Sequence, residues 1–406
     1  MAITRAISLV TAVSALALLG GASAWAQAQN AEAVHRAALV LDGHADVLLP
    51  STPERYYLPN HGSRVDLDHL TRGGVDAVVL SVAVGPGPRD AAGQRAARAE
   101  ADEKLAKIKA FAADNPQRVG IALSANDVTR LVGQGKVAVI IGFQNARSIG
   151  DDLSQIDAFY REGVRVFAFN HAGHNAFSDS SRPVDQPVAE HHGLSPVGRA
   201  AVAKLNDLGV LIDVSQLSSE ALAQTLALTR APVAATHSNV RALIDSTRNL
   251  SDAELDAIKA NGGIVQLTPF NSYLTQVDGR TRPAISALRV QYGLSPEFSA
   301  PNDGYGGLGD RQQAFLDALN PLLPRATVSD YVDQLDYVAK RIGWNHVGVG
   351  TDFNHGAGII GFDSEAEAPN VTRELLRRGY TQEQINAIWS GNFLRVLRAA
   401  EAARRA

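Results

Sequence analysis

The feature that most constrains this 406-residue chain is a unit that recurs about eight times: a short β-branched apolar run, a polar loop, then a stretch with apolar residues three and four apart. The runs are Ala38 to Leu41, Val78 to Val84, Val137 to Ile141, Val164 to Phe169, Val210 to Val214, Val233 to Ala235, Ile264 to Leu267 and Val347 to Val349. Helical patterns between them include Gln94 to Ala113, Pro196 to Leu208, Ser219 to Thr229 and Asp252 to Asn261. Strands that are apolar without alternation, separated by helices, pack as a parallel sheet covered on both faces. Repetition of the unit predicts an α/β fold, a (β/α)8 TIM-like barrel, ahead of a doubly wound open sheet. Ser272 to Asp330, rich in Gly, Pro and Tyr and without a strong strand, reads as a loop insertion, with a lid as one of its uses. Thr381 to Ala403 reads as a closing helix or helix pair, with Thr381 and Gln384 spaced as a capping box.

No linker divides the chain from residue 27 onward, so one barrel domain over 27–406, with an insertion at about 272–330, accounts for its length. Residues 1–26 differ. Arg5 precedes an apolar run from Ala6 through Gly20, and small residues follow up to an Ala-x-Ala pattern before Gln27, the layout of a cleaved signal peptide. A membrane anchor is the competing reading, but the run falls short of the roughly 20 residues that span a bilayer. A cleaved signal predicts an exported, periplasmic protein without a membrane span. The net charge of −4, with acid and base intermixed, gives no reason to expect nucleic acid as a partner. The absence of cysteine excludes disulfides, thiol nucleophiles, iron–sulfur clusters and Cys-ligated zinc, leaving His, Asp, Glu, Asn and Gln for any metal chemistry.

Barrel chemistry sits at the C-terminal ends of the strands. Polar residues concentrate there: Asp42-Gly43-His44-Ala45-Asp46, Gln144-Asn145, Asn170-His171 with His174, Asp213-Val214-Ser215-Gln216, Thr236-His237-Ser238 and Thr351-Asp352-Phe353-Asn354. His44 and Asp46 lie one residue apart in an extended segment and so share a face, and imidazole with carboxylate is what zinc accepts when cysteine is missing. Mutual satisfaction or helix capping is the plainer alternative; His237 and Asp352 at equivalent strand ends favour the metal. No Gly-x-Ser-x-Gly elbow supports a serine triad. Asp213 is a ligand or a loop-bonding residue, His355 a mouth residue or a solvated one. His191 and His192 precede the helix start Ser195-Pro196 and read as loop.

Taken in order, Asp42-Gly43-His44-x-Asp46, Asn170-His171, Gly193-Leu194-Ser195-Pro196-x-Gly198, Leu211-Ile212-Asp213-x-Ser215, His237-Ser238, Arg248-Asn249, Gly350-x-Asp352-Phe353 and Gly391-Asn392-Phe393 resemble the membrane (renal-type) dipeptidase family of metallopeptidases. The resemblance implies a barrel of the metal-dependent hydrolase type. By position it implies that His44, Asp46 and Asp352 serve a first zinc, with Asp352 also handling a water proton, and that His237 serves a second. It implies that His171 contacts substrate near the scissile bond and that Arg248 receives the dipeptide's carboxylate, a task suited to a planar, permanently charged fork. Gln144 and Gln216 stand where the family has a bridging glutamate and another zinc histidine. A carboxamide is a poor zinc ligand, so one zinc is expected, with a second left open through His174. The implied function is an exported zinc-dependent dipeptidase that cleaves small dipeptides through a metal-activated water, as a homodimer. The alternative is a dipeptidase-like, non-hydrolytic periplasmic binding or maturation protein with a degenerate metal site.

Overall fold

The structure, a computed structural model, describes residues 30–182, 188–298, 301–302 and 304–405; the signal segment 1–26 lies outside them. The apolar runs become strands β1 (Leu41–Asp46), β2 (Ala77–Ala83), β3 (Val119–Ile121), β4 (Val137–Gln144), β5 (Val164–Ala168), β6 (Leu211–Asp213), β7 (Ala234–Ala235), β8 (Ile264–Leu267) and β9 (Val347–Val349). Every pairing between them is parallel, in the order β1-β2-β4-β5-β6-β7-β8-β9, with β3 added outside the ring on β4. The ring closes where the Asp46 N–H donates to the Phe353 carbonyl at 2.9 Å and the Asp352 N–H donates to the His44 carbonyl at 2.7 Å. This is the (β/α)8 barrel that the repeating pattern predicts.

The period of two along each strand sorts side chains into layers. Leu41, Val79, Ile140, Val166, Leu211, Ala234 and Ile264 form one buried cluster with Phe393, Leu394 and Leu397 of the C-terminal helix, which plugs the N-terminal end of the barrel. Their strand neighbours, such as Val78, Leu80, Val139, Ile141, Val265 and Val347, pack outward against the helices. Two residues further along the inner face the character changes to Ser81, Gly142, Asp213, Thr236 and Gln266, all buried or small. The apolar layer thus forms the floor on which the polar residues stand.

Helix boundaries follow local chemistry. Asp90 caps the helix Ala91–Asp114, Ser195 caps Pro196–Leu208 with proline in its first turn, and Ser251 with Glu254 forms a capping box on Asp252–Asn261. Thr381 and Gln384 make the expected capping box, and the C-terminal helix pair is joined by a π turn at Ala387–Gly391. Asn392 then donates to the carbonyls of Trp344 and Val347, both at 2.8 Å, which ties that pair to β9.

Three expectations shift. The first strand is not Ala38 to Leu41 but begins at Leu41 and carries Asp42, His44 and Asp46; its polar residues interrupt the apolar run because they face the barrel mouth. Val119–Ile121 is a short strand interrupted by Gly120 and carries too little pattern to be seen. Among its described residues the insertion has no strand but holds helices Arg282–Gln291 and Gln312–Leu319. It ends before Val328–Ile342, a barrel helix capped by Thr327 and Asp330.

Candidate metal centre

β1 and the segment after β9 build one half of the site. Asp42 is its fastener: one carboxylate oxygen accepts from the N–H groups of Thr351 (2.7 Å) and His44 (3.1 Å), the other from the Thr351 hydroxyl (2.7 Å). Glu365 lies against Asp42; burial and the neighbouring carboxylate push its pKa well up. Gly350 leaves room for the crossing, since a Cβ there would lie 1.9 Å from the Thr236 carbonyl. Asp352 follows with φ of 57°, a left-handed conformation costly for a non-glycine residue and held by its surroundings. His44 Nε2 ends 3.9 Å from Asp352 Oδ1. Both His44 Nε2 and Asp46 Oδ1 are buried without a hydrogen-bond partner. Buried polar atoms without partners are rare and call for an explanation.

β6 and β7 build the other half around the Thr236 hydroxyl. Asp213 accepts from Ser215 N–H (2.8 Å), Thr236 N–H (3.1 Å) and the Thr236 hydroxyl (2.5 Å). Having given its proton to Asp213, Thr236 Oγ1 can only accept from His237 Nδ1 at 2.8 Å and His44 Nδ1 at 3.3 Å. Both imidazoles therefore carry their proton on Nδ1 and direct an Nε2 lone pair toward the mouth, stacked 3.9 Å apart between centroids. Asp213, His44 and His237 offer ligand atoms within 4.8 Å of one another, but on the Thr236 side their atoms are engaged by this hydroxyl. Asp213 makes the loop bonds of one alternative, and its grouping with His44 and His237 leaves it placed for the other.

The two lone pairs then meet different neighbours. His237 Nε2 accepts from the amide nitrogens of Gln144 at 3.0 Å and Gln216 at 3.2 Å. Gln216 is fixed in that orientation because its Oε1 accepts from Ala172 N–H at 2.7 Å. The donor set at His44, one neutral nitrogen with the carboxylates of Asp46 and Asp352, fits a divalent ion. The set at His237 does not: its lone pair is engaged by two N–H donors, and the residues that supply them are uncharged. His174 does not repair this half. Its Nδ1 accepts from Ser180 N–H at 2.9 Å, so the neutral ring bears its proton on Nε2 and presents no lone pair there.

A cavity of about 1530 Å³ opens on Asp46, His171, Gln216 and Asp352. His171 donates through Nδ1 to the Val84 carbonyl at 3.0 Å, and burial lowers its pKa well below the usual histidine value. Burial opposes ionisation of Asp46, but Lys104 and His355 outweigh it and bring its pKa to about 2. Burial carries Asp352 to about 6, against the pull of His355 and His44. His355 resolves as a mouth residue: its Nδ1 lies 2.7 Å from Asp46 Oδ2, and its ring stacks on Tyr56 at 5.1 Å and meets His171 edge-on at 4.5 Å. Burial works against its charged form, but the Asp46 carboxylate outweighs this and raises its pKa. Lys104, from the helix Ala91–Asp114, lines the cavity and donates to the Ala83 carbonyl. Nothing in its helical pattern marks it. Arg248 is buried beneath the site, donating to Ser238 Oγ at 3.0 Å and to the His237 carbonyl, with Tyr273 over its guanidinium at 5.6 Å. It is not among the residues that line the cavity.

Barrel, strand-end histidines and carboxylates, and a deep mouth define the class of metal-dependent hydrolases. The membrane dipeptidase family, a family of peptidases, matches residues 28–406, and the chain belongs to it. The dipeptidase tcpJ of Claviceps purpurea is 30% identical over 342 residues, 83% of this chain and 69% of that one. The dipeptidase aclJ of Aspergillus oryzae is 30% identical over 264 residues, of which the match spans 51% of the relative's length. Among solved structures, the probable dipeptidase PvdM of Pseudomonas aeruginosa superposes with a TM-score of 0.85 at 36% identity, over 93% of this chain and 99% of that one. A metallopeptidase described as dipeptidase AC gives 0.69 at 25% identity, over 89% and 98%. The protein is a metallodipeptidase of this family, and no helix among the described residues is long and apolar enough to cross a membrane.

Proposed function

We propose that the protein is an exported dipeptidase holding one zinc ion on His44, Asp46 and Asp352. The observation that carries this reading is the contrast at the two imidazoles: His44 Nε2 and Asp46 Oδ1 lack partners, whereas His237 Nε2 has two. When bound, the ion supplies Lewis acidity, lowering the pKa of a water and polarising the scissile carbonyl. Asp352, at the cavity wall, takes the proton of the attacking water and delivers it to the departing amine. His171, neutral and anchored on Val84, keeps its other ring nitrogen for the substrate. Thr236 and Asp213 hold both imidazoles in the required tautomer. Arg248, committed to Ser238 and the His237 carbonyl, contributes fixed positive charge behind the site, while Arg182 is a cation at the cavity wall.

The partnerless donors favour a working hydrolase over a degenerate binding protein. The test is turnover of L-Ala-L-Ala and L-Ala-D-Ala by zinc-loaded protein beside His44→Ala and Asp352→Asn, with circular dichroism to verify folding. Turnover by the parent and its loss in both folded variants is the expected result. A zinc-loaded parent that cleaves neither compound, or variants as active as the parent, contradicts the proposal. Export after removal of residues 1–26 rests on the signal pattern, and N-terminal sequencing of the exported protein should begin at Gln27. A homodimer rests on the family resemblance and is read from the mass in solution.

A further inference from the structure

A second, smaller cavity lies behind the loop that follows β2. It measures about 60 Å³ and is lined by Gly87 and Arg89 of that loop, Asn145 and Arg147 after β4, and His174 after β5. One buried water needs only about 10–15 Å³, so there is room for a larger occupant. None of the lining residues belongs to the metal centre. His174 is the member that calls for an explanation. Its side chain is only 2% exposed, and because Nδ1 accepts from Ser180 N–H at 2.9 Å the ring proton sits on Nε2. That Nε2 has no hydrogen-bond partner. With Nδ1 turned to Ser180, Nε2–H is the polar group this ring has left for the cavity.

The charge around this donor has one sign. Among the described residues, the charged groups on the lining are both cations, Arg89 and Arg147. Arg89 is held by Glu190 at 2.7 Å and 2.9 Å. Arg147 donates to the carbonyls of Pro88 (3.0 Å), Gly85 (3.1 Å) and Gly93 (3.1 Å), which takes three of its five guanidinium hydrogens and cancels none of its charge. The side-chain oxygen of Asn145 is filled by Arg147 N–H and by Asn175, both at 3.1 Å. Carboxylates nearby are turned to other donors. Asp179, on the Ser180 edge of the His174 ring, accepts from the N–H groups of Glu190 (2.9 Å), Gly193 (3.0 Å) and His191 (3.2 Å); Asp90 accepts from Gly93 N–H at 2.7 Å, and Glu100 lies 3.6 Å from Lys104. A buried donor without an acceptor costs its desolvation. Water would satisfy the donor but leave the Arg147 charge unmatched, whereas an anion answers both. Carboxylates and phosphates carry several oxygens, each needing donors at fixed angles, while a sphere needs only the field and one N–H. We infer that this cavity binds a monatomic anion, chloride or bromide, on His174 Nε2–H between Arg89 and Arg147. The ion braces the loop 85–89, whose other face lines the main cavity, against the segment that carries His171.

The test combines location with a solution response, both on zinc-loaded full-length protein. Crystals soaked in sodium bromide, with data collected at the bromine absorption edge, should show an anomalous peak within hydrogen-bonding reach of His174 Nε2. Density there without an anomalous signal means a water only and overturns the inference. Urea titrations at constant ionic strength, with chloride replacing gluconate, supply the second readout. Above the dissociation constant, the unfolding constant should fall about tenfold for each tenfold rise in chloride. His174→Phe, which removes the donor, and Arg147→Gln, which removes the charge, should lose this dependence. His44→Ala, which disables the metal half, should keep it. A parent indifferent to chloride, a dependence unchanged in both cavity variants, or one that disappears in His44→Ala and so belongs to the zinc, each overturns the inference. Should the cavity variants fail to fold, the bromide peak in the parent decides alone.

Discussion

The halves of the metal centre are built from the same materials and end in opposite states. His44 and His237 stack on each other, share the Thr236 hydroxyl and direct an Nε2 lone pair the same way. Around His44 the neighbours are acceptors, Asp46 and Asp352, so the lone pair and one carboxylate oxygen are left without a proton to share. Around His237 the neighbours are the amides of Gln144 and Gln216, whose hydrogens satisfy the lone pair at no cost in charge. Unsatisfied buried acceptors are expensive unless something positive joins them; satisfied ones have no such need. On the proposed one-zinc reading, ligand capacity resides in what is left unpaired around each ring, and the two glutamines remove it from one half.

The comparison breaks most decisively if the His44 half is not where the ion sits. His44→Ala or Asp46→Asn should cut activity and zinc affinity by more than the roughly 10–100-fold typical of residues that only orient ligands, as read by chelator competition. The same substitution at Gln144, to Ala, should leave zinc affinity within a few-fold of the parent; a loss equal to that of His44→Ala would place the ion between the two halves. A smaller effect sharpens the shared element. Thr236→Val removes the acceptor that fixes both tautomers and should weaken zinc by about 10–100-fold, whereas unchanged affinity would show that the hydroxyl orients neither ring.

The smallest effect separates the centre from the shell. Glu374 accepts from Arg377 at 2.7 Å and 2.6 Å and from Arg378 at 2.8 Å, and Arg378 reaches on to Asp333 and Asp336 on the helix Val328–Ile342. Hydrogen bonds from Arg377 chiefly, with Arg378 added and burial opposing, hold the Glu374 pKa at about 2 against an ordinary 4.5. A carboxylate depressed in the folded state stabilises above its unfolded pKa and loses that contribution as pH falls through its folded one. Glu374→Gln should therefore cost about 1–2 kcal/mol near neutrality, with the difference from the parent shrinking between pH 4.5 and 2 in denaturant titrations. Zinc content should be unchanged, and a loss would mean that the outer helices position the site.

Much of this was legible in the chain, for a physical reason that also marks where legibility ended. Long buried strands such as β2 and β4 announce themselves because both of their faces are apolar, and the helices at 196–208 and 252–261 carry their caps in sequence. β1 was displaced because its ligand-bearing residues are polar where a strand core would be apolar, a local rule broken at a functional site. Strand-end position brought His44, Asp46, His171, His237 and Asp352 into view. It did not reveal that His355 bonds Asp46, that Lys104 reaches in from a helix, or that the Glu365 carboxyl is buried against Asp42, since each arrives from an element remote in sequence.

Metal content per chain tests the central claim most directly. Protein incubated with excess zinc, desalted and analysed by plasma mass spectrometry should hold one ion per chain, and the double variant Gln144→Glu, Gln216→His should hold two. Two ions in the parent, or none, would contradict the assignment of ligand capacity to the His44 half alone.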